Sequence, residues 1–245
     1  MDNKREKILK IINNPLVQSI LYSRFLGYHQ WSILTFVKKC ANQVKLGEKI
    51  IDLGAGELRY KKYFSHAQYV SQDLGVGDKQ WNFNSIDIRS SIYEIPVQDQ
   101  SFDYILCTQV LEHLEFPEKA FHEFRRILKS GGKAFVTVPL GQGEHQIPYD
   151  YYRYTQYVLR GLGERNGLRL INIVPQGGIF MNLEYMLWQS FTIFIPFKNN
   201  ILIRYIIFAL LLPFKFISGL FFSFFDLFDI KKHYTNNYSC IYEKT

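Results

Sequence analysis

Cysteine is scarce in this chain. Three residues, Cys40, Cys107 and Cys240, stand among 245, with no CxxC pair. An odd number of scattered thiols is most simply explained by a reducing, cytosolic compartment in which they stay unpaired. A signal-peptide core is lacking: only four apolar residues in Ile8–Ile12 precede the polar Asn13-Asn14-Pro15. The active part is therefore expected to face the cytoplasm. No repeat at fixed period, no Pro/Gly/Ser linker and no RNP-like or finger motif is present, and the last absence argues against nucleic acid as a partner. With 47% hydrophobic and 21% charged residues, a disordered or collagen-like chain is excluded. Long charge-free runs are also missing. The longest within 179–228 are Tyr185–Phe197 (13), Tyr205–Phe214 (10) and Phe216–Phe225 (10), short of a spanning segment.

What the chain has in excess is aromatic residues, 17% of the total. Twelve of its 21 Phe fall within 179–228, joined there by Tyr185, Trp188 and Tyr205. Charge is uneven too. The net +7 divides into +6 over residues 1–50, −2 over 51–195 and +3 over 196–245. Basic charge beside apolar aromatic sequence suits an anionic membrane surface better than a nucleic-acid groove. At 245 residues the chain is one enlarged domain or a domain with an appendage.

Residues 4–44 read as helical, with an irregularity at Asn13-Asn14-Pro15. From Lys49 short β-rich runs alternate with helical stretches. Lys49–Leu53, Gln68–Ser71, Phe102–Cys107, Lys133–Val138 and Leu168–Val174 read as strands. Pro117–Lys129 reads as a helix stopped by Lys129-Ser130-Gly131-Gly132. Asn237–Glu243 looks like a last strand. Such alternation indicates a parallel sheet with helices on both faces.

Ile50-Ile51-Asp52-Leu53-Gly54-Ala55-Gly56-Glu57 is an apolar strand running into a Gly-x-Gly turn before an expected helix. A turn without side chains lets a ligand approach the backbone, and Asp52 suits a ligand carrying an ammonium or hydroxyls. Tyr69-Val70-Ser71-Gln72-Asp73 ends the second strand in a carboxylate, at an offset where an acid can accept hydrogen bonds from both ribose hydroxyls. These features leave NAD and S-adenosyl-L-methionine both open.

The next stretch separates them. Pro96–Ile105 leads into Cys107-Thr108-Gln109-Val110-Leu111-Glu112-His113-Leu114, and Glu123–Gly132 follows with Arg126-Ile127-Leu128-Lys129-Ser130-Gly131-Gly132. This pattern resembles the class I S-adenosyl-L-methionine-dependent methyltransferases, in the subgroup containing the ubiquinone and menaquinone methyltransferases. The resemblance covers roughly residues 49–175 and the last strand. It implies an α/β fold: a Rossmann-like seven-stranded sheet with helices on both faces, an N-terminal helical arm (1–48), a core (49–178), an apolar insertion (179–232) and a closing strand (233–245). By the same resemblance Asp52, Gly54, Ala55 and Gly56 hold the methionine end of the cofactor, Asp73 the ribose, and Ser91 and Ile92 border the adenine. Gln109 lines the methyl side. Two positions depart from the pattern. Leu58 stands where a third glycine is usual, and Ser91 where an adenine-contacting aspartate is usual. A serine still hydrogen-bonds but is a weaker acceptor, and Asp87 is a nearby substitute.

Glu112 and His113 could pair as acid and base, but by the same resemblance this helix start is mostly packing and capping, and that structural reading is preferred. The substrate side is better sought in His145-Gln146-Ile147-Pro148-Tyr149-Asp150-Tyr151-Tyr152-Arg153-Tyr154-Thr155, after the fifth strand. His145 is expected as general base, with Asp150 orienting it or the acceptor, and Tyr149, Tyr152 and Arg153 as substrate contacts. The bland alternative pairs Asp150 with Arg153 to start a helix while the tyrosines pack. No metal site is expected. The reading is a cytoplasmic-face methyltransferase acting on a small-molecule or lipid-linked acceptor, peripheral or monotopic on the membrane through 179–232, with oligomeric state open. A soluble substrate with 179–232 as an oligomer interface, or a cofactor-binding scaffold without turnover, are the competitors. If the last strand closes the same sheet, the insertion cannot cross a bilayer once. It crosses twice, with a tip near Lys198-Asn199-Asn200, or lies in the interface. Glu184 and Lys215 disfavour the hairpin, at about 2.5–3.5 kcal/mol per central charge.

Overall fold

The computed structural model describes residues 14, 17, 20–77, 81–194 and 201–245. The chain divides into two compact units. Ile33–Gln176 with Asn237–Thr245 forms a sheet unit, and the described residues up to Ser32 with Gly177–Asn236 form a second.

The sheet unit holds β1 (Lys49–Leu53), β2 (Gln68–Asp73), β3 (Ile88–Arg89), β4 (Phe102–Thr108), β5 (Leu128–Pro139), β6 (Leu168–Gln176) and β7 (Asn237–Lys244). Their order is β3-β2-β1-β4-β5-β7-β6, with β7 antiparallel to both neighbours and the other pairings parallel. Successive side chains of a strand face opposite ways. Ile51, Ile105 and Val136 accordingly join one buried cluster with Phe121 and Phe124 of α2 (Pro117–Ile127) and Leu159 and Leu162 of α3 (Gln156–Arg165). Their neighbours Ile50, Leu106 and Phe135 join another with Ile33, Val37 and Cys40 of α1 (Tyr28–Ala41). The seven-stranded sheet with helices on both faces is as the sequence implied. All three cysteines are buried and free.

Local readings change in three places. The helical stretch read over 4–44 is interrupted by turns at Tyr22–Leu26 before α1 begins, and residues 4–13 lie outside the described ones. Gly27 permits the break: a Cβ there would stand 2.3 Å from the Leu21 carbonyl oxygen. The helix α1 also ends at Ala41, short of the expected 44, and its residues Ile33, Val37 and Cys40 belong to the core of the sheet unit. Finally, α2 stops at Ile127, and the glycines of the expected stop lie inside β5. Phe102 pairs with Leu128 but Tyr104 with Lys133, so residues 129–132 bulge opposite Asp103, with Gly131 at φ +75°.

In the second unit, α4 (Ile179–Phe194) is capped by two carboxylates: Asp226 accepts from the backbone N–H of Gly178 (2.9 Å) and Asp229 from that of Ile179 (2.7 Å). Against it lies α5 (Ile201–Phe225), joined by Trp188 Nε1 donating to Ser218 Oγ (2.9 Å) and by the ion pair Lys215–Glu184 (3.4 Å). The two charges that count against a buried or inserted hairpin thus face each other. Leu210, Phe214, Ile217, Phe221 and Phe224 are all exposed, at spacings of four, three, four and three residues that place them on one face of α5. By length and composition Ile206–Phe225 could cross a membrane, and little of it is buried. Gln176 and Asn237, where the chain leaves and re-enters the sheet, are register partners, so the insertion returns to the side it left.

Candidate functional site

The carboxyl ends of β2, β1 and β4 lie side by side in the sheet, where open α/β sheets place their ligands. After Leu53 the chain turns through Gly54 (φ +70°) and Gly56 (φ +51°), left-handed conformations that glycine adopts at little cost. Space matters equally at Gly54, whose Cβ would stand 2.5 Å from Val110 Cγ2. Gly54 and Ala55 donate backbone N–H groups to the Gln72 carbonyl (2.9 and 3.0 Å), and Gly56 donates to Asp73 Oδ2 (2.9 Å). Asp73 Oδ1 accepts from Gly75 N–H (2.7 Å). Asp73 is thus buried and locked against the glycine turn, where the sequence implied a ribose contact.

The expected helix after the turn is absent. Hydrogen-bonded turns run to Tyr60, followed by one 3-10 turn at Lys61–Phe64. Leu58 is the cause: it sits at φ +58°, incompatible with a right-handed helix and costing about 1–2 kcal/mol in a non-glycine residue. The missing third glycine is therefore felt as backbone strain.

Asp52 is fully buried. Tyr69, which the sequence reading passed over, donates its hydroxyl to Asp52 Oδ2 at 2.5 Å. Only the parallel pairing of β1 with β2 brings the two together. Burial pushes the Asp52 carboxyl up to about 7, and Asp73 beside it adds to the rise. A raised carboxyl favours folding while protonated in both states. It loses that contribution as pH climbs from the ordinary value of 3.8 through about 7. Asp52→Asn should therefore gain thermal stability on the wild type across this interval, with a limit near 4 kcal/mol, and hold the gain above it. A difference in melting temperature that stays flat from pH 4 to pH 8 would refute this.

Ser91 and Ile92 follow β3. Ile92 is buried, and Ser91 Oγ accepts from the Tyr93 N–H (3.2 Å). Asp87, the suggested substitute for the missing aspartate, accepts on Oδ2 from Ser71 Oγ (2.6 Å) and Ser71 N–H (2.9 Å). Trp81, unnoticed in the sequence, lies across the turn. Its ring stands 3.7 Å from where a Gly56 Cβ would be. Gln109 follows β4 at φ +55° and donates to Thr137 Oγ1 (3.2 Å).

A second cluster forms after β4 and β5. Tyr151 and Tyr152 donate backbone N–H groups to the Glu112 carbonyl (2.8 and 3.2 Å), and the Tyr154 hydroxyl to Leu111 O (2.8 Å), which fastens the loop His145–Thr155 to the turn Leu111–His113. Arg153 grips both Asp150 oxygens (2.7 Å each) and also donates to the carbonyls of Gln142 (2.8 Å), Gly143 (2.7 Å) and Tyr152 (2.8 Å). The guanidinium holds the Asp150 carboxyl down to about 2. This pair does not start α3, whose N-terminus is capped by Thr155; it folds the loop from which a substrate contact by Arg153 is expected. Asp150 reaches His145 mainly through its backbone N–H (2.8 Å), with the ring Nδ1 at 3.5 Å. Tyr149 and Tyr152 are exposed. Glu112, read from the sequence mainly as packing and capping, is completely buried with neither carboxyl oxygen hydrogen-bonded, and burial pushes it up to about 8.

Residues 51–136 match the family model described as a methyltransferase domain. The fold is that of the class I methyltransferases. Among curated relatives, an uncharacterized protein of Methanocaldococcus jannaschii is 42% identical over 90 residues, 36% of this chain and 40% of that protein. The demethylmenaquinone methyltransferase of Paenarthrobacter aurescens is 28% identical over 129 residues, 50% of this chain and 49% of that protein. The chain spans less than half the length of the curated relatives it matches. Among solved structures, the Haemonchus contortus phosphoethanolamine N-methyltransferase 2 in complex with S-adenosyl-L-methionine aligns with TM-score 0.51 at 16% identity, over 96% of this chain and 59% of that one, a likeness of fold. The match to that family model thus begins within β1 and runs through the glycine turn, Asp73, Gln109 and Glu112 into β5.

Proposed function

We propose that this protein transfers a methyl group from S-adenosyl-L-methionine to an O, N or C acceptor on a membrane-resident molecule: a lipid-linked saccharide, glycan precursor or prenylated ring. The observation that carries the cofactor is the pair of buried carboxylates, Asp52 and Asp73, flanking a turn whose glycines leave the backbone bare. Asp73 keeps free lone pairs for ribose hydroxyls, and Asp52 offers an acceptor to an ammonium. The residues fit the group. Bound there, S-adenosyl-L-methionine supplies an activated methyl on a sulfonium, so alignment of the acceptor contributes much of the rate. Removal of the acceptor's proton is assigned to the loop carrying His145, which Asp150 and Arg153 hold in shape. The membrane half of the reading rests on the exposed apolar face of α5 and the exposed Lys231 beyond it. The unpaired thiols support placement at the cytoplasmic face.

Membranes incubated with labelled S-adenosyl-L-methionine and the protein, then extracted for lipids, should yield labelled lipid. His145→Ala should abolish that label while calorimetry still shows cofactor binding. Label appearing only in the aqueous phase would replace the lipid acceptor by a soluble one, and failure to bind the cofactor would leave a scaffold.

A further inference from the structure

Where Glu112, His113 and His145 meet, polar atoms converge with nothing to receive them. His113 Nε2 lies 3.9 Å and His145 Nε2 4.0 Å from Glu112 Oε1, and one ligand atom from each residue falls within 4.8 Å of the others. The Glu112 side chain is 0% exposed, and both its oxygens and His113 Nε2 are buried without a hydrogen-bond partner. Leaving such groups unpaired is costly, and a carboxylate most of all.

The ring tautomers can be read from the opposite nitrogens. His113 Nδ1 stands 2.6 Å from the Tyr149 carbonyl oxygen, which can only accept. His145 Nδ1 stands 3.1 Å from the Gly143 carbonyl oxygen and 3.5 Å from Asp150 Oδ2, also acceptors. Arg153 Nη2, 3.5 Å from the same nitrogen, already donates to Gly143 O and Asp150 at 2.7 Å. Both rings therefore carry their proton on Nδ1 and turn an Nε2 lone pair inward. The cavity then presents two imidazole lone pairs beside the two unpartnered oxygens of the Glu112 carboxyl group. A backbone carbonyl behind the outer nitrogen is the usual support of a metal-ligating histidine.

We infer that Glu112, His113 and His145 form a binding site for one divalent transition-metal ion, zinc or a similar borderline ion rather than magnesium or calcium. Two imidazoles and one carboxylate make a ligand set that zinc accepts in catalytic sites, with a fourth position left for water or substrate. Magnesium and calcium prefer all-oxygen shells. Bonds of about 2.0–2.1 Å put ligand atoms at most about 4.2 Å apart. The observed triangle closes on an ion with movements of a fraction of an ångström to about one ångström, most easily by His145 on its half-exposed loop. The site deepens the proposed methyl transfer, since an ion there would acidify an acceptor hydroxyl bound at its open position; that consequence rests on the proposed reading, whereas binding of the ion does not.

The test uses the full chain, stripped with chelator and titrated with cobalt(II), without cofactor or acceptor. A visible ligand-field band saturating at one ion per chain is expected, and zinc should displace it. His145→Asn, with its fold checked by circular dichroism, should weaken binding at least about tenfold. Glu112→Gln should weaken it further, and the exposed His122→Asn should leave it unchanged. No saturable band, full affinity in His145→Asn, or equal loss in His122→Asn would each overturn the site. Cobalt binding by a protein that transfers no methyl group would fault the proposed reaction and leave the metal site standing.

Discussion

Gly54→Ala should abolish cofactor binding and destabilise the sheet unit by about 2–5 kcal/mol. Two costs combine. A Cβ at φ +70° costs about 1–2 kcal/mol, and the same atom would lie 2.5 Å from Val110 Cγ2 and 3.0 Å from Val110 Cγ1, an overpacking worth about 1–3 kcal/mol. Relief requires Val110, and with it the neighbouring turn that carries Glu112, to move away from the turn the cofactor occupies. Calorimetry with S-adenosyl-L-methionine and a melting curve read the two effects separately. The contrast with Leu58→Gly sharpens the argument. That change removes about 1–2 kcal/mol of left-handed strain but adds roughly 0.5–1 kcal/mol of chain entropy to the unfolded state, so stability should stay within about 1 kcal/mol of wild type. A Gly54→Ala protein as stable as Leu58→Gly would mean that the turn does not have the described conformation.

Replacing Phe214, Ile217 and Phe221 together by serine should eliminate association with vesicles containing anionic phospholipid. Each side chain is more than half exposed, so the fold loses little. Buried in an interface, each would contribute about 1.5–3 kcal/mol, and the three together change partitioning by a thousandfold or more. Sedimentation with vesicles measures this, with size-exclusion chromatography alongside. Unaltered sedimentation would remove α5 from the membrane contact, as would wild-type protein that stays soluble without detergent and ignores vesicles. If the triple change instead lowers the apparent mass, the face joins copies of the chain.

The sheet was legible because its signals are local. Apolar runs of β period, a helix with a hydrophobic stripe, glycines at a turn and an acid closing the second strand all lie within a few residues of one another. The glycine turn followed from Gly54 and Gly56 alone. The apolar insertion was legible for the same reason, as a block of composition. Legibility failed wherever a residue's role depends on something far away in the chain. Asp52 is recognisable as an acid before a turn, but its hydroxyl partner Tyr69 is supplied by strand register. Leu58 is visible as a departure from a pattern, and only the backbone shows that it adopts the glycine conformation anyway. Arg153 reads as a substrate contact, and its bonds to Asp150 and three carbonyls of the loop are not visible in its sequence neighbours. Glu112 could not be told from a packing residue. By itself the sequence determined the order of the strands' hydrophobic code, the turn that admits a ligand and the apolar face that seeks a partner, because each is written in neighbouring residues. Only the tertiary structure decided that Glu112 and His113 meet His145 across a folded loop, since bringing those three side chains together depends on how the chain between them closes.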